Sequence, residues 1–192
     1  MYKMLVIGFS TSGIPLIKQI LQALPKDYPL PIAIVAHLSI GHESWLAKLL
    51  GGITQLPVSM ARDKAAVVAG TVYIAPSDYH LLVEKTRRAQ PSFALSVDKP
   101  DNTMRPSIDV LFESAAEVFK SDLIAVLLSG ANIDGAEGMA YVKKRGGITI
   151  VLDPHETEFN VMPSSAIQRG KVDYVATVDE IVDLLLSVRE VL

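Results

Sequence analysis

The stretch Lys3-Met4-Leu5-Val6-Ile7-Gly8-Phe9-Ser10-Thr11-Ser12-Gly13-Ile14-Pro15-Leu16-Ile17 decides the reading of the fold. Residues 3–9 form an apolar run that is continuous rather than alternating. A strand reads this way when both of its faces are covered, as in a parallel sheet between helical layers. The period then changes: apolar side chains at 14, 16, 17, 20, 21 and 24 share one helical face. A strand, a short polar loop and a helix make the opening unit of an α/β chain.

Outward from this unit the alternation continues. Residues 31–36 read as a second buried strand, 45–50 as a helix stopped by Gly51-Gly52, and 72–76 as a third strand. Residues 81–85 and 93–97 read as a hairpin connected through Thr86-Arg87-Arg88. A polar loop, 98–104, leads to Arg105-Pro106-Ser107 and a helix over 108–119. Strands follow at 123–128, 148–152 and 174–175, and helices at 136–145, 164–169 and 179–188. The expected architecture is a doubly wound, mostly parallel α/β sheet with helices on both faces and a small antiparallel hairpin. No repeat, low-complexity tract or long linker divides residues 1–192, which read as a single domain.

Composition narrows the chemistry. The 192 residues are 49% hydrophobic and 20% charged, which excludes an intrinsically disordered chain. A net charge of −3 gives no general attraction for nucleic acid or anionic lipid. The absence of cysteine excludes disulfides, zinc–thiolate sites, iron–sulfur clusters and cysteine nucleophiles. The four histidines have no zinc-binding helical spacing, so no metal is expected. No apolar run approaches the roughly 20 residues that span a bilayer, and the N-terminus lacks a signal-peptide cleavage site. A soluble cytoplasmic protein is the expectation.

In open α/β sheets, ligands bind beyond the carboxyl ends of the strands. Three reactive side chains follow strands directly: Ser10, His37 and Asp134. A serine hydroxyl needs a neighbouring imidazole to take its proton, and the imidazole needs a carboxylate to fix its tautomer. The first loop lacks the middle glycine of a dinucleotide fingerprint and the lysine of a P-loop. It matches a nucleophile elbow, GxSxG, except for Ser12 in place of the second glycine. The order Ser, His, Asp also differs from that of the α/β-hydrolases. Each residue has a structural alternative: Ser10 and Asp134 as helix caps, His37 as a buried hydrogen-bonded histidine. His80 and Asp153 are the reserve base and carboxylate.

Six segments carry a resemblance that runs nearly end to end. They are Ile7-Gly8-Phe9-Ser10-Thr11-Ser12-Gly13, Ile34-Val35-Ala36-His37-Leu38, Ala69-Gly70-Thr71-Val72-Tyr73-Ile74-Ala75-Pro76, Arg105-Pro106-Ser107-Ile108-Asp109-Val110-Leu111-Phe112, the stretch 128–139, and Met162-Pro163-Ser164-Ser165-Ala166-Ile167. Together they resemble the catalytic domain of the chemotaxis protein-glutamate methylesterases, the CheB family. The resemblance implies a Rossmann-like three-layer fold and a serine hydrolase with Ser10 as nucleophile, His37 as base and Asp134 as orienting acid. It implies hydrolysis of glutamate methyl esters on the cytoplasmic helices of chemoreceptors, deamidation of receptor glutamines, and no cofactor. Oxyanion donors are expected at or beside Ala131 and in either the serine loop, at Thr11, or the loop at His37. Met162, with Pro163 and Phe159, is expected to shape the site wall or start a helix. Arg105 is expected to steer an acidic receptor segment or brace the active-site loop, while for Pro106-Ser107 the structural role of starting the following helix is favoured.

The chain departs from the family pattern at Ser12 and Asn132, where glycine is usual, and at Ala36, where glutamine is common. A side chain at position 12 is costly if that position needs positive φ. Asparagine tolerates left-handed backbone, so the turn at 130–132 is expected to survive. Family members usually carry a phosphoacceptor receiver domain. None is read in this sequence, so regulation by a separate protein is one expectation. A hydrolase with another ester or amide substrate, and a non-catalytic signalling module, remain the alternatives.

Overall fold

A computed structural model describes residues 3–38, 41–85, 90–98, 104–170 and 172–188. The chain runs β1 (Met4–Ser10), α1 (Ile14–Ala23), β2 (Ile32–His37), α2 (Glu43–Gly51), β3 (Val58–Met60) and β4 (Val72–Ile74). Next come β5 (His80–Lys85), β6 (Pro91–Ser96), α3 (Ile108–Phe119), β7 (Leu123–Leu127) and α4 (Ala136–Lys144). The last elements are β8 (Ile148–Leu152), α5 (Val161–Arg169), β9 (Tyr174–Ala176) and α6 (Val178–Ser187).

Seven strands form a parallel sheet in the order β3-β4-β2-β1-β7-β8-β9, and β5 and β6 form a separate antiparallel pair. Alternate residues of each central strand feed two apolar layers, which explains the unbroken apolar runs. Leu5, Ile7 and Phe9 of β1 join Ile17, Leu46 and Ile181 from α1, α2 and α6. Met4 and Val6 join Phe112, Met139 and Ala166 from α3, α4 and α5. From β1 the chain steps outward through β2 to the β4–β3 edge. It then crosses by way of the hairpin and α3 to β7 on the other flank of β1. The carboxyl ends of β1, β2 and β7 therefore face one crevice at the switch in winding direction, where doubly wound sheets hold their ligands.

One glycine brings the two sides of that crevice together. Gly135 starts α4 with φ +94° and sits so close to β7 and α3 that a Cβ would lie 2.5 Å from Leu127 Cδ1 and 2.9 Å from Ile108 Cγ2. Only glycine combines this conformation with this approach.

Three of the departures from the sequence expectation have a clear physical reason. β3 was not anticipated, because none of its three residues is buried and they are too few to show a period. α5 begins at Val161, ahead of the expected 164, with Pro163 in its first turn, where a missing N–H breaks no helical bond. The third strand closes at Ile74, although the Ala75 N–H still donates to the Ile34 carbonyl at 2.9 Å. The expected connection through residues 86–88 and most of the polar loop 98–104 lie outside the described residues. No described helix is long and apolar enough to cross a membrane.

Candidate active site

Ser10 ends β1, His37 ends β2, and the two are register partners across the parallel ladder. Asp134 stands in the loop after β7, and its Oδ2 lies 2.8 Å from His37 Nε2. Both side chains are buried. The separation is that of an ion pair, but the ring N–H does not point along the line to Oδ2, so the contact falls short of a directed hydrogen bond. Catalytic contacts are commonly this loose before substrate binds. The Ser10 hydroxyl donates to the backbone carbonyl of His37 at 3.5 Å, and Thr11 Oγ1 donates to the same carbonyl at 3.1 Å. The other ring nitrogen, Nδ1, lies 3.0 Å from Asn132 Nδ2.

The cradle around Asp134 is built by the N-terminus of α3. Oδ1 accepts from Ser107 Oγ at 3.0 Å and from the N–H groups of Asp109 and Gly135, each at 3.1 Å. Oδ2 accepts from the Ile108 N–H at 2.7 Å. A carboxylate here satisfies helix N–H groups that have no intrahelical partner and sits at the positive end of the helix dipole. Burial pushes the Asp134 carboxyl up, but the close approach of His37 and the hydrogen bonds from the Ile108 and Asp109 N–H groups outweigh it and hold the group below the usual carboxylate range. Ser107 also caps α3, accepting from the Val110 N–H at 3.4 Å, so one hydroxyl serves both helix and site.

A second carboxyl lies directly behind. Asp109 accepts from the Gly138 N–H at 2.7 Å. Burial first, and the neighbouring Asp134 charge with it, push its carboxyl up to about 7. Sequence reasoning carried Asp109 only as one letter of a motif. The available signal was an acidic residue in the first turn after a capping serine.

Arg105 donates from Nη1 to the Val97 carbonyl at 2.7 Å and ties its loop to the end of β6. Met162 is fully buried beneath Gly130: a Cβ on that glycine would lie 2.5 Å from Met162 Cε. It therefore shapes the turn from below rather than lining the open surface. The Ser10 N–H is taken by the Ser129 carbonyl and the Gly130 N–H by the Phe159 carbonyl, both at 2.9 Å. The Ala131 N–H has no partner among the described residues, and Thr11 opens a 3₁₀ turn, where the first N–H has none within the turn. His80 starts β5, and its Nδ1 accepts from the Ser107 N–H at 3.2 Å; burial first, then Arg105, lower its proton affinity. Asp153 caps the 3₁₀ turn Pro154–Glu156 through the His155 N–H. Neither reserve residue reaches His37 or Ser10 by a hydrogen bond. Ala36 packs into the apolar layer on the α1 side.

Ser12 and Asn132 need no left-handed backbone: neither has positive φ. Ser12 Oγ instead bonds Ser129 Oγ at 2.6 Å, which bonds Thr157 Oγ1 at 2.8 Å, and the hydroxyls stitch the serine loop to the loop before α5. Asn132 Oδ1 accepts from the Asp134 N–H at 3.1 Å, closing a turn through the side chain. Met104, Ile133, Phe159 and Val161 stand exposed on the loops that meet here.

With this geometry in view, the comparisons with known proteins are decisive. Residues 5–185 match the CheB methylesterase family. The chain belongs to the CheB methylesterase family. A provisionally named protein-glutamate methylesterase/protein-glutamine glutaminase of Leptospira interrogans is 40% identical over 185 residues, which cover 96% of this chain and 94% of that protein. A protein-glutamate methylesterase/protein-glutamine glutaminase of Thermotoga maritima is 38% identical over 96% of this chain, which spans 54% of that longer protein. The crystal structure of the Thermotoga maritima CheB methylesterase catalytic domain superposes with a TM-score of 0.93 at 37% identity, covering 98% of this chain and 99% of that one. The CheB fold thus accounts for the seven-stranded sheet and the hairpin alike.

Proposed function

We propose that this chain is a serine hydrolase that removes methyl esters from glutamate side chains on cytoplasmic helices of chemoreceptors. Deamidation of receptor glutamines is the matching amide reaction, and the cytoplasm is the working compartment. The observation that carries the reading is the 2.8 Å approach of His37 to Asp134, with Ser10 beside them in register. The names borne by relatives of similar sequence support the substrate class. The exposed apolar residues around the site suit the apolar stripe of a helical protein substrate.

In this mechanism Asp134 remains ionised, keeps the imidazole proton on Nε2 and leaves the lone pair on Nδ1. That nitrogen takes the Ser10 proton as Oγ bonds to the ester carbonyl carbon. The N–H groups of Thr11 and Ala131 stabilise the resulting oxyanion. The methoxy oxygen leaves with the proton from Nδ1 as methanol. A water then gives a proton to Nδ1 and its oxygen to the acyl carbon, freeing the glutamate carboxylate and restoring Ser10. With glutamine the leaving group is ammonia.

Methanol release from methylated chemoreceptor cytoplasmic fragments tests the proposal, wild type beside Ser10→Ala. Release that vanishes in the variant supports it. Release that persists in the variant, or none from a wild type that still reacts with a serine-directed fluorophosphonate, overturns the nucleophile or the substrate assignment respectively.

A further inference from the structure

In the resting site the nitrogen assigned as base is already occupied. Asn132 Nδ2 lies 3.0 Å from His37 Nδ1, and the orientation of the carboxamide is set independently, because its oxygen accepts the Asp134 N–H at 3.1 Å. The amide nitrogen must therefore face the ring. With the ring proton on Nε2 toward Asp134, Nδ1 offers a single in-plane lone pair, and Asn132 donates to it. The Ser10 hydroxyl, one strand away, is left with the His37 carbonyl at 3.5 Å. Serine and asparagine compete for one acceptor. Once Nδ1 has taken the serine proton, two donors face each other, so the carboxamide must leave before or during that transfer.

We propose that Asn132 is a positioning residue that caps the catalytic base and keeps Ser10 uncoupled from it until substrate docks and displaces the carboxamide. This rests on the reading of Ser10 as nucleophile and His37 as base. The cap is suited to opening. It is one neutral hydrogen bond on a half-buried side chain, and the other nearby acceptor of Nδ2 is Met104 Sδ at 3.4 Å, a weak one on an exposed residue. A docking protein that covers Met104 and Ile133 reaches the carboxamide from outside. A small electrophile that reacts with Ser10 has no such surface and meets the capped base.

The test is the second-order rate of labelling by a small alkyl fluorophosphonate, for wild type, Asn132→Gly, Asn132→Ala and Ser10→Ala. Removing the cap is expected to speed labelling roughly three- to tenfold, the worth of one neutral hydrogen bond. The ¹⁵N resonance of His37 Nδ1 should move in the same variants toward that of a free pyridine-type nitrogen, a change that a loop-stabilising role does not produce. Unchanged or slower labelling in folded Asn132 variants, with wild type labelled and Ser10→Ala silent, overturns the cap and leaves the nucleophile standing. An Nδ1 resonance unmoved in those variants also overturns the cap. No labelling of any form overturns the base and its cap together.

Discussion

Replacing Asp134 with asparagine removes one of two oxygens that are both fully used. The orientation that keeps oxygen at the Oδ1 position retains Ser107, Asp109 and Gly135 as donors and sets an amide NH₂ against the Ile108 N–H and His37 Nε2. The opposite orientation sets it against three donors. Even the better one strands a buried N–H, at about 1–3 kcal/mol, and turns three charge-assisted bonds into neutral ones. Relief from burying a charge offsets part of this, which leaves a net loss of about 3 kcal/mol. At 2–4 °C per kcal/mol for a chain of this size, the melting temperature should fall by about 6–12 °C. The kinetic effect is larger. Nε2 must now accept from the amide, the ring proton moves to Nδ1, and no lone pair faces Ser10. Where the same change inverts a triad histidine, turnover falls by about 10⁴. Thermal denaturation and methanol release at saturating substrate read the two effects separately. A variant with more than about a tenth of wild-type turnover would falsify the tautomer argument, and an unshifted melting temperature would remove the cradle argument.

Other consequences follow from single contacts. The raised carboxyl of Asp109 binds its proton more tightly folded than unfolded, so its contribution is fullest below the usual carboxylate range and is lost as pH rises toward about 7. Asp109→Asn, a mimic of the protonated form, should therefore gain on wild type in urea denaturation at pH 8 relative to pH 5, and a gap that ignores pH contradicts this. Tyr28 is buried with a hydroxyl that has no hydrogen-bond partner among the described residues, and burial pushes its ionisation well above the ordinary tyrosine range. Tyr28→Phe should stabilise by about 1 kcal/mol in the same assay; a loss of that size would mean the hydroxyl is satisfied. Ser12→Gly removes the hydroxyl bridge to Ser129 and Thr157 and should cost about 1 kcal/mol, and an increase in melting temperature would show the bridge to be strained.

What the sequence made legible follows from burial and from topology. The strands at 4–10, 32–37, 123–127 and 148–152 were readable because both faces are covered, which leaves a continuous apolar signal. β3, three residues at the sheet edge with none of them buried, carries almost none. Ser10, His37 and Asp134 were legible as a group because strand ends in a parallel sheet must converge, whatever lies between them in sequence. The cradle of Ser107, Ile108 and Asp109 was not, because it depends on α3 arriving from the far side of the hairpin with its N-terminus against the 128–135 loop. The Asn132–His37 contact joins residues 95 positions apart through a side-chain rotamer that no pattern encodes. The sequence singled out Asn132 only for its tolerance of left-handed backbone, a property the structure does not use.

The most direct test of the account is peptide mapping by mass spectrometry after reaction with a fluorophosphonate, on wild type and His37→Ala. The account predicts one adduct per chain, carried by Ser10 and lost when His37 is removed. An adduct on another residue, or one on Ser10 that forms equally fast without His37, would contradict the claim that these strand ends make a nucleophile and its base.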